Sequence, residues 1–267
     1  MTPADALVER TYEPFCANSV LATINGLADF SHSKAMADLV TAGKYKGELL
    51  VTLGKVGPPR YANFIGRYKD DPDGSVRQAV AAALGLINNE SVATPVLIQL
   101  LTRADKKEDF TIRWEASRSL GKVAARKGSE GARRRILDLF QEKDAMTVLL
   151  AARSLGLAGD PRGSAKLREL TSHLEPAVRY EAVLALGEIA DRGSREALLR
   201  RLADDSLAVR GCAIFALGEI GDPSVIPVLR KAVEDSAGLN EKYGLESFDL
   251  RETLQVAIAA AQRPRGR

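Results

Sequence analysis

Catalytic and metal sites are built mainly from histidine, cysteine, activated serine and paired carboxylates, and this chain holds few of them in usable arrangements. Its two histidines stand as His32-Ser33 and His173-Leu174, so neither has the adjacent glutamate of a His-Glu metal pair. Cys16 and Cys212 lie far apart and match no zinc or redox spacing. Both are expected as small free thiols in a reducing compartment, Cys212 on a buried helix face. No glycine-rich phosphate loop, nucleophile elbow or zinc spacing occurs. Glu188 and Glu219 occupy equal places in two similar stretches and read as surface or inter-repeat contacts rather than a catalytic pair. No catalytic residue, cofactor site or metal site is assigned.

What remains is the chemistry of binding, and arginine carries most of it. The densest basic cluster is Arg133-Arg134-Arg135, close to Arg126 and Lys127. Arg195, Arg200, Arg201, Arg230 and Lys231 form a second group farther along, with Glu130, Asp138, Glu142 and Glu196 diluting the charge. Arg133, Arg134, Arg135, Arg200, Arg201, Arg230 and Lys231 are the candidate residues for contact with an acidic partner. A different set, Arg77, Arg113, Arg179, Arg210 and Arg251, recurs at one position beside an apolar stripe. A position so fixed predicts a ladder to acidic loop residues of neighbouring units rather than an anion-binding stripe. Trp114, the one tryptophan, follows the first stripe position of its helix, where it could pack or meet a partner.

These residues are positioned by a repeat. Gly26, Gly54, Gly85, Gly121, Gly156, Gly187 and Gly218 are separated by 28, 31, 36, 35, 31 and 31 residues. A period near thirty indicates stacked units that bury a shared core. Around each glycine an apolar stripe recurs at helical spacing, as in Val178, Ala182, Val183, Leu186 and Ile189, or Val209, Ala213, Ile214, Leu217 and Ile220. Thr147, Ile112, Val76 and Tyr45 start similar stripes, Ala17 a weak one, and Leu250, Leu254, Gln255, Ile258 and Ala261 a final one. The glycine lies inside this first helix, where it costs about 1 kcal/mol relative to alanine, so close approach of a neighbouring helix is expected to compensate. Gly57, Asn88, Gly159 and Gly221 then suit left-handed helix ends. Pro161 and Pro223 suit the first turn of a second helix, with Ser91, Ser129, Ser164, Ser194 and Ser224 as plausible caps. Acidic turns such as residues 70–74 and 204–206 separate the units. Longer loops are expected at residues 104–111, 125–133 and 236–247.

The expected units are 17–41, 44–69, 75–102, 111–141, 145–171, 177–203 and 208–234. They form an array over residues 17–235, between an irregular or capping segment (1–16) and a loop, capping helix and basic tail (236–267). Composition agrees: 45% hydrophobic residues but only 5% aromatic suits closely packed helices. A net charge of +3, from 38 basic and 35 acidic residues, gives no case for nucleic acid. No apolar run approaches a membrane span, and the first residues do not form a secretory signal, so a cytoplasmic protein is expected.

The strings Ala177-Val178-Arg179, Ala208-Val209-Arg210, Leu186-Gly187-Glu188-Ile189 and Leu217-Gly218-Glu219-Ile220-Gly221-Asp222-Pro223 resemble HEAT repeats. More narrowly, they resemble the short HEAT-like repeats first named from phycobilisome bilin lyase subunits. The resemblance is good over residues 70–235, with Val148 and Lys46 standing where arginine is expected. It implies an all-α fold, an α-solenoid superhelix of about seven helix pairs plus a C-terminal helix. The leading functional expectation is a non-enzymatic scaffold that binds another protein on its concave second helices, at a surface acidic where it meets the arginines. The alternative implied by the resemblance is a bilin lyase subunit or chromophore chaperone. Nucleic-acid binding through the arginines is the least favoured reading.

Overall fold

The structure is a computed structural model and describes residues 33–103, 109–243 and 250–262. Fourteen α-helices and no strand occur among them. They fall into two compact units, one up to Asp138 and one from Leu139 onward.

The amino-terminal unit contains α1 (Ser33–Thr41), α2 (Lys46–Val56), α3 (Tyr61–Gly66, continued by a tighter turn Arg67–Asp70), α4 (Gly74–Leu86), α5 (Glu90–Thr102), α6 (Asp109–Ala124) and α7 (Glu130–Asp138). The carboxy-terminal unit contains α8 (Ala145–Leu157), α9 (Pro161–Leu170), α10 (Pro176–Ile189), α11 (Arg195–Arg201), α12 (Leu207–Ile220), α13 (Ile226–Tyr243) and α14 (Leu250–Ala261). In the first unit α2, α4 and α6 pack in succession, with α3, α5 and α7 as the second row. In the second unit α8, α10, α12 and α14 form the equivalent first row. Each unit is thus a stack of helix pairs, the architecture of an α-solenoid.

The apolar stripe is the reason these helices stack. Val76, Val80, Ala81, Leu84 and Ile87 are all buried, as are Val209, Ala213, Ile214, Leu217 and Ile220. Ile189, Ala158, Val56 and Tyr45, at stripe ends, are half-buried. The last helix departs from its template: Gln255 is exposed, and Ala257, Ala260 and Ala261 form the buried face instead. On the second helices Val228 is likewise exposed, while Leu229 and Val233 are buried. The stripe beginning at Ala17 lies outside the described residues.

The glycines do bring helices together. A Cβ on Gly54 would lie 2.6 Å from the Cα of Ala83, and one on Gly218 would lie 2.6 Å from the Cα of Ala257. The same close approach links Gly85 to Ser119 and Gly187 to Ala216. The receiving position is always small and lies seven residues after the first stripe residue, which explains the register of α14: Ala257 must face Gly218.

Helix ends differ in part from expectation. Gly159 and Gly221 adopt left-handed backbone at φ 76° and 70°, but Gly57 is extended at φ −75° and Asn88 has no positive φ. Ala190 takes the left-handed role instead, at φ 53°. The serines two to four residues after these aspartates do not cap. Asp160, Asp191 and Asp222 accept from the backbone N–H two residues on, leaving Ser164, Ser194 and Ser224 inside the first turns. A carboxylate suits the positive end of the helix better than a hydroxyl. Pro161 and Pro223 open their helical turns as expected. The connection expected at residues 236–247 is helical up to Tyr243, because Gly238 alone does not outweigh flanking helix formers such as Glu234, Ala237 and Leu239. The loop expected at residues 125–133 is likewise shortened by α7, which begins at Glu130.

Candidate functional site

The recurrent arginines are structural. Arg77, Arg113 and Arg179 are buried at 3%, 7% and 6% exposure, which excludes an anion-binding stripe at these positions. Their guanidinium groups hold the turn before their own helix. Arg77 donates to the carbonyls of Asp71 (2.8 Å) and Pro72 (3.0 Å), and Arg179 to those of His173 (3.0 Å) and Leu174 (2.9 Å). Arg113 donates to the Leu101 carbonyl at 2.8 Å and Arg210 to that of Asp204. Arg179 realises the expected ladder, with two bonds to the Asp204 carboxylate (2.9 and 2.8 Å) and one to Asp205. Arg201 also reaches Asp204, at 3.2 Å. Burial works against ionisation of Asp204, but the Arg179 bonds, the Ser206 N–H and Asp205 together hold its carboxyl below the ordinary value. The side chain of Arg251 lies outside the described residues.

The candidate contact residues divide between the two units. In the first unit, Arg126 donates to the carbonyls of Gly85 and Ile87, both at 2.9 Å, and so closes the end of α4. Burial lowers its pKa, opposed by the nearby Glu90 carboxylate. Glu90 in turn accepts from the Ala132 N–H at the start of α7 (2.9 Å). Arg133 is half-buried and engages the Ala124 carbonyl and Glu130. Lys127, Arg134 and Arg135 are exposed. In the second unit Arg201 is held by Asp204 and Arg195 by Asp222 and Glu196, while Arg200, Arg230 and Lys231 are exposed.

A concavity of the first unit lies elsewhere. A groove of about 1070 Å³ runs over the first helices α2, α4 and α6. Its floor includes Gly47, Ala79 and Ala82, and its sides carry Lys46, Lys55, Glu48 and Arg118. Lys46 is tied to Asp71 at 3.0 Å and Arg118 lies 3.6 Å from Glu115, so the rim is mixed in sign. A search for charged clusters misses this groove, because the absence of side chains creates it. The signal was the run of small residues on the outward side of α2 and α4.

The remaining chemistry-bearing residues sit in structural surroundings. Cys212 is buried, and burial reinforced by the Glu181 charge pushes its thiol up to about 12. His173 accepts from the Glu175 N–H in a turn (3.1 Å). Trp114 is half-buried, its ring 5.8 Å from that of Phe110. Glu188 makes an inter-repeat contact, a two-bond pair with Arg153 at 2.7 Å in each bond. Among the described residues no three metal-ligating side chains cluster, and no helix is long and apolar enough to cross a membrane. Cys16 and His32 lie outside the described residues.

One family model, described as HEAT repeats, matches residues 164–241, the stretch that holds paired helices, Arg179 and Arg210 beside their stripes and two aspartate-capped turns. Residues 164–241 are HEAT repeats. Among solved structures, the chain is similar to Kap121p bound to Nup53p, at 15% identity and a TM-score of 0.57. That match covers 97% of this chain and 32% of the other, so the chain spans about a third of Kap121p. It is also similar to the complex of CpcE and CpcF of phycocyanin lyase from Nostoc sp. PCC7120, at 16% identity, TM-score 0.47, and coverage of 98% and 95%. Human deoxyhypusine hydroxylase in complex with glycerol is a third, at 18% identity, TM-score 0.38, and coverage of 97% and 96%. The likeness to Kap121p is one of fold. No curated protein matches the chain.

Proposed function

We propose that the chain is a protein-binding scaffold whose partner lies in the groove over α2, α4 and α6. One observation carries this reading: three consecutive first helices leave a continuous concavity of about 1070 Å³ with a floor of small residues and a charged rim. A floor of Gly47, Ala79 and Ala82 lets a partner segment come close to the helix backbones, while Lys55 and Glu48 at the rim are exposed for polar contacts. The HEAT-repeat architecture supports binding in general, because a stack of paired helices presents an extended surface along its rows. Alternative contact residues are Arg134 and Arg135 in this unit, and Arg200, Arg230 and Lys231 in the other.

Quantitative pull-down with three variants separates these surfaces. Ala82→Trp fills the groove floor, whereas Arg134→Glu and Arg200→Glu each reverse an exposed charge. The groove reading requires a protein that is retained by wild type and by both charge variants but lost with Ala82→Trp, with circular dichroism unchanged. Retention by Ala82→Trp together with loss in Arg134→Glu or Arg200→Glu overturns it and assigns the contact to the arginine-bearing helices.

A further inference from the structure

The seams between consecutive first helices are not equivalent. At α2/α4, α4/α6, α10/α12 and α12/α14 a Cβ on the glycine would meet backbone of the next helix, at 2.6 Å, 2.9 Å, 3.0 Å and 2.6 Å from the Cα of Ala83, Ser119, Ala216 and Ala257 respectively. At α8/α10 the nearest atoms to such a Cβ on Gly156 are side-chain atoms: the tip of Ile189, its Cγ1 at 3.4 Å, and Ser164 Oγ at 3.7 Å. The two helices therefore lack the backbone contact that fixes the other pairs.

Polar groups fill this seam. Arg153 is 0% exposed and makes its two-bond pair with Glu188 across it. Glu181, two turns earlier on α10, places Oε2 in the interior without a hydrogen-bond partner. At the carboxy-terminal end of the same seam a groove of about 530 Å³ is lined by Gly156, Ile189 and Ala190, the last in left-handed backbone. The next seam supplies an internal control. Leu184 and Glu219 stand where Arg153 and Glu188 stand, so a glutamate is present there without the arginine.

We propose that the α8/α10 seam is a latched joint, held shut by the Arg153–Glu188 pair where its neighbours are held by close helix contact. A buried ion pair contributes little net stability over apolar packing, yet breaking one side of it is strongly unfavourable. That combination makes the pair a two-position element: made, it fixes the helices in one register, and broken, it leaves a seam without the close glycine contact that its neighbours keep. The Glu188 side chain is 34% exposed and Arg153 fully enclosed, so the latch is accessible from the glutamate side.

Hydrogen exchange on the full chain tests this. In the unmodified protein, amides at residues 153–157 of α8 are expected to exchange faster than those at the matching residues 184–188 and 215–219. Glu188→Gln is expected to speed exchange on α8 and α10 about tenfold while leaving α12 unchanged, and Glu219→Gln to leave all three as they were. Equal protection of the three segments in the unmodified chain overturns the proposal. So does a Glu188→Gln effect spread evenly over α8, α10 and α12, which would make the pair an ordinary contributor to overall stability.

Discussion

Replacing Asp204 by asparagine removes the charge on which Arg179 and Arg201 converge. Asp204 and Arg179 have side chains only 2% and 8% exposed, and two bonds of 2.9 and 2.8 Å join them. Removing one partner of a buried pair costs about 3–5 kcal/mol because the other charge is left enclosed. Arg179 retains Asp205 and the carbonyls of His173 and Leu174, so the lower end applies, about 3 kcal/mol. Urea unfolding followed by circular dichroism is the suitable assay, since Trp114 lies in the other unit and its fluorescence reports there. The effect also has a pH signature. The Asp204 carboxyl is held below its ordinary value of 3.8, so the native state favours the ionised form. Its contribution is fully present above 3.8 and is lost as the pH falls through the lower native value. The gap between wild type and Asp204→Asn should be constant near neutrality and narrow in acid. A loss below about 1 kcal/mol at pH 7, the range of exposed pairs, would refute the placement of this pair in the interior.

Three further substitutions probe the backbone. Gly54→Ala adds a methyl 2.5 Å from the Ala83 carbonyl oxygen. Overpacking of about 1–3 kcal/mol should exceed the helix-propensity gain of up to about 1, for a net loss of about 1–2 kcal/mol in urea unfolding. Gly156→Ala meets only the mobile end of Ile189, whose rearrangement costs about 0.5–1.5 kcal/mol against the same gain, so stability should stay within about 0.5 kcal/mol. An equal loss in both variants would contradict the distinction between their seams. Ala190→Gly relieves a left-handed residue at a cost of about 1–2 kcal/mol but frees the unfolded chain by about 0.4–1, so a gain of about 0.5 kcal/mol is expected in calorimetry. A fall in melting temperature would show that the methyl packs usefully.

The helix pairs were legible because burial imposes a period on the sequence, and the stripe through Val76, Val80 and Leu84 meets that demand directly. The role of the glycines was legible too, since a glycine inside a helix needs a compensating contact. Its recipient was equally visible, as Ala83, Ser119, Ala216 and Ala257, but became meaningful only when helices could be seen facing each other. That contact also accounts for α14, where Gln255 fits the helical spacing yet points to solvent because Ala257 must meet Gly218. The aspartate caps were obscured by serines two to four residues later, which offer similar chemistry at a less favourable place. The groove was the least legible feature: its floor is made of residues with little or no side chain, and its rim mixes both signs of charge rather than clustering one. Arg126 and Arg133 show the converse, since their density suggested a binding surface while their guanidinium groups close helix ends.

The fixed relation between Gly54, Gly85, Gly187 and Gly218 and the small residues they face makes the unit a transferable cassette. A second copy of residues 177–207, inserted after the first, would present Ala185 to the preceding Gly187, and its own Gly187 to Ala216. Each copy would carry Arg179 together with Asp204, so its loop would arrive already tied. Lengthening of the array at this point therefore repeats a type of contact already made at four seams, and the chain can grow there by duplication alone.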